Sequence, residues 1–135
     1  MNGIPTFLRR FWPSMIVVAL IVYATVNDEP EGADLLPPIP YLDKLIHAIM
    51  FGGLFGALCF DIRRAGWALT RRTLLWLFVG CSLAGACDEV AQTYLTSVRQ
   101  GDPTDWLADT AGITVAYFTA PPAVRKVLSK EKSRQ

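Results

Sequence analysis

Four apolar stretches divide this chain, at 11–26, 41–60, 74–95 and 103–120, and between them the cations are sorted to one side. As helix, with a rise of about 1.5 Å per residue, each is roughly 24–33 Å long, close to the ~30 Å of a bilayer core. Two arginines precede the first stretch, Arg9 and Arg10. The first connection, 27–40, has four acids, four prolines and no Lys or Arg. The second, 61–73, has Arg63, Arg64, Arg71 and Arg72; the third has Arg99; the tail has five cations. Four spans put eleven of the thirteen cations on one side, and the positive-inside rule makes that side cytoplasmic. The expectation is an all-α, four-helix transmembrane bundle with both termini in the cytoplasm, in the inner membrane.

Composition agrees. The chain has 135 residues, one domain's worth, with 52% apolar residues, 19% charged residues and a mean hydropathy of +0.31. A net charge of +1 gives no field for nucleic acid, which is excluded as a partner. Cys59, Cys81 and Cys87 lie in apolar sequence and match no zinc spacing, so they read as packing residues. No small-x-small site follows 11–26, so a cleaved signal peptide is not expected. Pro13 sits near the first helix start, where its missing N–H costs little. Pro121 and Pro122 are expected to end the fourth helix and open a basic tail over 121–135.

Polar residues interrupt this pattern in three places. Asp43, Lys44 and His47 open the second span; Asp88, Glu89 and Gln92 lie near the end of the third; Asp105 and Asp109 open the fourth. An acid in a membrane helix costs roughly 2.5–3.5 kcal/mol at its centre, so a network or a function must offset it. His47 lies six residues past Tyr41, Glu89 six before Leu95, and Asp109 six past Pro103. That is roughly 9 Å of helix in each case, so three segments place polar side chains at one depth. Asp43 with His47, Asp88 with Gln92, and Asp105 with Asp109 are each four apart and share a helix face. Asp102-Pro103-Thr104-Asp105 reads as an N-cap, a proline in the first turn and an acid beside it. The inner halves of the spans are read as free of acids, which leaves no proton relay across the bilayer. Gly52 and Gly56 form a GxxxG pair that would admit a close neighbour.

These residues support two classes of role. In the first, His47 is a general acid or base oriented by Asp43, and Asp88 or Glu89 is the second acid–base group. Lys44, Gln92, Arg99, Asp105 and Asp109 then bind a ligand, with Lys44 and Arg99 on an anionic group. In the second, the same residues are a salt-bridge network that fixes helix register. Asp102 and Asp105 are then caps, Lys44 reaches outward, and Arg99 pins its loop to an acid. A metal version of the first role stays open, with His47, Asp43, Asp88, Glu89 and Asp109 offering one nitrogen and several oxygens that suit Mn, Mg or Zn. A single histidine is a thin basis for zinc, so no metal residue is assigned and the cofactor is left unknown.

The motifs Asp43-Lys44-x-x-His47, Asp88-Glu89-x-x-Gln92, Arg99, Asp105 and Asp109-Thr110-x-Gly112 resemble the VanZ-like family of small bacterial membrane proteins. The resemblance covers about residues 40–118. Members often have Asn in place of Asp109 and a polar residue or His in place of Ala91, so Asp109 adds an acid here. The resemblance implies a cell-envelope role and, for the namesake proteins, a link to glycopeptide resistance, chiefly to teicoplanin. It supplies no reaction. The expected function is an outer-face polar site that binds or acts on a lipid-linked or cell-envelope group, with membrane lipids and an anionic lipid-linked or cell-wall ligand as partners. The alternative is a non-catalytic membrane module that affects envelope access or partner assembly. The oligomeric state is left open.

Overall fold

The computed structural model describes residues 6–27, 37, 39–97 and 100–133. The described residues form four helices and no strand: α1 Thr6–Val26, α2 Leu42–Arg64, α3 Arg71–Leu95 and α4 Pro103–Lys132. Three of them, α1, α2 and α3, are long and apolar enough to cross a membrane. The fourth is more polar: besides Asp105 and Asp109, its apolar stretch carries Thr104, Thr110, Thr114 and Thr119.

Packing is inverted relative to a water-soluble bundle. Ile16 and Leu20 of α1, Ile49 of α2, Leu83 of α3 and Phe118 of α4 are exposed. His47, Asp61, Asp88, Glu89, Gln92 and Asp109 are buried. Water favours the reverse arrangement, whereas lipid accepts apolar side chains outside and penalises polar ones. The core between the helices holds Phe51, Leu54, Phe55, Cys59, Cys81 and Ile113. Cys59, Cys81 and Cys87 are all free thiols.

The seam between α2 and α4 is tight because small residues face each other there. A Cβ on Gly52 would stand 2.9 Å from the Gly112 carbonyl oxygen, and one on Gly112 would collide with the Ala48 carbonyl. Gly56 faces Ala120 on the same seam. Between lipid-facing helices the gain comes from dispersion contacts, which close backbone approach maximises.

Helix bounds differ most from the sequence expectation at three ends, besides a start of α3 at Arg71 rather than at residue 74. Helix α1 begins at Thr6 rather than at residue 11, with a break at Phe11, whose φ of −112° and ψ of 17° are not helical. Pro13 therefore stands near the start of the second segment. It has no N–H for the Arg9 carbonyl, and the Ser14 N–H turns away from the helix. Helix α2 answers for all these groups. Asp61 accepts from the Ser14 N–H at 3.0 Å and from its hydroxyl at 2.6 Å. Arg64 donates to the Arg9 and Arg10 carbonyls at 3.2 and 2.7 Å. The break leaves no released backbone group uncompensated at these positions, as burial requires.

Asp61 thereby corrects the reading that the inner halves lack acids. Helix α2 runs to Arg64, four residues beyond the expected end, and carries Asp61 into the interior with no exposure. Helix α4 runs through Pro121 and Pro122 to Lys132, so these prolines do not end it. Val124 is buried and Leu128 packs against the core, which holds the continuation in place.

Candidate functional site

Helices α2, α3 and α4 each bring one ionisable side chain to a common point. His47 Nδ1 lies 3.0 Å from Asp109 Oδ1 and 3.9 Å from Glu89 Oε1. All three side chains are at least nine-tenths buried. The shared depth inferred from the sequence corresponds to this contact. Gly85 makes room for it: a Cβ there would stand 2.8 Å from Asp109 Oδ2.

Each neighbour is held in turn. Thr25 of α1 donates to Asp88 Oδ1 at 2.6 Å, and Gln92 donates to Asp88 Oδ2 at 3.2 Å. Glu89 Oε2 accepts from the Asp102 N–H at 2.7 Å. Asp102 in turn accepts from the Thr104 N–H at 2.8 Å and caps α4. Together these form a capping box whose acid comes from another helix. Contacts to Thr104, first its backbone N–H, and then to the Lys44 ammonium hold the Asp102 carboxyl down at about 2. Two buried carboxylate oxygens of this cluster, Glu89 Oε1 and Asp109 Oδ2, have no hydrogen-bond partner among the described residues, as is also true of Asp61 Oδ1 outside the cluster.

Two candidates stand elsewhere. Asp43 is 64% exposed, and its close ionic partner among the described residues is Lys44 at 3.7 Å. It does not orient His47; Asp109 does. Four-residue spacing puts Asp43 and His47 on one face of α2, but the ring turns to the acid across the seam. Lys44 binds Asp105 at 2.7 Å and Asp102 at 3.1 Å, so its ammonium is committed to carboxylates rather than free for an anionic ligand. Asp105 is correspondingly a paired group in the first turn of α4. Arg99 lies outside the described residues.

Sequence reasoning passed over Thr25 and the Trp106 indole, which donates to the Ser82 carbonyl at 3.0 Å. A lone threonine in an apolar span is inconspicuous, and only its distance from Asp88 reveals it.

Chemically, an imidazole whose Nδ1–H donates to a buried carboxylate keeps its Nε2 lone pair, the arrangement of a general base or of a metal ligand. The fold and the cluster define a helical membrane protein with a histidine–carboxylate centre near one end of its helices. Comparison with protein-family models, with curated proteins and with solved structures finds no match to this chain.

Proposed function

We propose that the chain is a four-span VanZ-like protein of the inner membrane, with both termini in the cytoplasm, whose outward-facing polar centre binds or acts on a lipid-linked cell-envelope group. The observation that carries this reading is a cleft of about 370 Å³ bounded by Val18, Ile21, Val22, Phe51 and Leu54, with Asp88 in its wall. An apolar chain suits such a cleft, and a polar head at Asp88 meets the network that contains Glu89 and His47. Exposed Leu107, Val115 and Phe118 on α4 support a fourth span despite its polar start. His47 then serves as acid–base group, with Asp109 as its orienting carboxylate.

Purification of the full chain with native lipid extract should recover one polar lipid species near stoichiometry by mass spectrometry. Ile21→Trp, which fills the cleft, should lower that recovery several-fold. A wild-type chain that carries only bulk lipid, with unchanged envelope lipids in a deletion strain, would sink the reading.

Topology provides a separate prediction. In a background without Cys59, Cys81 and Cys87, cysteines at Ile39 and Gln100 should react with an impermeant maleimide in intact cells, and one at Trp67 should not. Labelling at Trp67 alone would put the centre on the cytoplasmic side and overturn the orientation.

A second reading, a non-catalytic membrane module whose polar cluster only fixes helix register, is favoured by how many of these groups are already paired. Asp88 uses both oxygens, and Lys44 bridges two acids. It requires that His47→Gln keep the cellular function wherever the protein still folds, whereas the acid–base role requires loss.

A further inference from the structure

The centre has an excess of acid over base. Asp88, Glu89 and Asp109 surround one imidazole, and Lys44 is taken up by Asp102 and Asp105. Buried carboxylates need protons or a cation, because desolvated charge without a partner is costly. One ring nitrogen of His47 and one oxygen each from Asp88 and Glu89 all lie within 4.8 Å of one another. An ion with bonds of about 2.1 Å holds its donors roughly 3–4 Å apart, so closure draws the widest pair together by about 1–2 Å. Glu89 Oε1 is the donor that stands ready: it is buried, lacks a hydrogen-bond partner among the described residues, and lies beside the imidazole, 3.9 Å from the Nδ1 that Asp109 holds.

We propose that His47, Asp88 and Glu89 bind a divalent transition-metal ion, with Asp109 holding the imidazole. One nitrogen with carboxylate oxygens and no thiolate suits Mn²⁺ or Zn²⁺. Thr25 and Gln92 on Asp88, and the Asp102 N–H on Glu89, are the outer hydrogen bonds that orient ligating carboxylates. The ion also offsets most of the charge of the site. Three ionised carboxylates repel an anionic head group, and a divalent cation among them cancels two of the three charges and can bond an anionic oxygen directly. The proposal concerns the same cluster as the lipid-linked reading but does not depend on it.

The full chain in detergent, stripped with EDTA, is titrated with Mn²⁺ and followed by electron paramagnetic resonance and by thermal unfolding. One saturable ion per chain and a rise in melting temperature are expected. Glu89→Gln and Asp88→Asn, which each keep the shape and one acceptor oxygen, should each weaken binding by about 10-fold or more. Asp43→Asn should bind as wild type. Absence of saturable binding by the wild-type chain, with Zn²⁺ as with Mn²⁺, overturns the proposal whatever the variants do. Unchanged affinity in both folded site variants overturns it equally. A co-purified lipid without metal removes this proposal alone, and metal without lipid removes the lipid-linked reading alone.

Discussion

Gly112→Ala should lower stability by about 1–3 kcal/mol, and Gly112→Leu should leave little folded protein. The position faces the backbone of α2. Its Cβ would overlap the carbonyl of Ala48, and Gly52 already stands against the Gly112 carbonyl. A flexible side chain could give way, but a backbone carbonyl inside a helix cannot without moving α2. That movement would also disturb His47, one residue before Ala48, and Asp109, three before Gly112. Gly53 and Gly80 are the controls, since a Cβ on either meets nothing within 4 Å. Alanine there should be neutral or should stabilise the helix by up to about 1 kcal/mol. Thermal unfolding in detergent gives the comparison. If Gly112→Ala melts with Gly53→Ala, the α2–α4 seam is not as tight as described.

The parts of the fold legible in the sequence are those that follow from period and length. Apolar runs of membrane length marked the helices, and equal offsets from the span ends placed His47, Glu89 and Asp109 at one depth. The Asp102-Pro103 start was legible because caps act locally, within one turn. What required the structure was every choice between partners on different helices. Asp43 and Asp109 were both acids within helical reach of the His47 level. Only the close approach of α2 and α4, permitted by Gly52 and Gly112, gives the ring to Asp109. Asp61 was hidden for a related reason. Beside Arg63 and Arg64 it reads as a solvated helix end, yet it answers a backbone break at Phe11, 50 positions earlier. The run of α4 through Pro121 and Pro122 was also not legible. Local rules predict a stop there, and the packing of Val124 and Leu128 on the core overrides them.

Asp109 is where charge and hydrogen bonding can be separated. Its side chain has no exposure, one oxygen meets His47 Nδ1, and the other lies against Gly85. Asp109→Asn keeps the shape and the acceptor for Nδ1–H, and it places an amide where Oδ2 was. That costs about 1 kcal/mol, the penalty of one poorly satisfied buried group. Asp109→Leu removes the acceptor, leaves the imidazole buried without its closest partner, and pushes a branched side chain toward α3. Stability should fall by about 2–5 kcal/mol, from the stranded partner and overpacking together. The cycle that pairs Asp109→Leu with His47→Phe should show coupling of about 1–3 kcal/mol, since each single change strands the other group. Additive effects in that cycle would mean that His47 and Asp109 do not act as a pair. If Asp109→Asn proved as damaging as Asp109→Leu, the negative charge rather than the hydrogen bond would be the essential feature. A protonated imidazole or a bound cation would then have to be its partner.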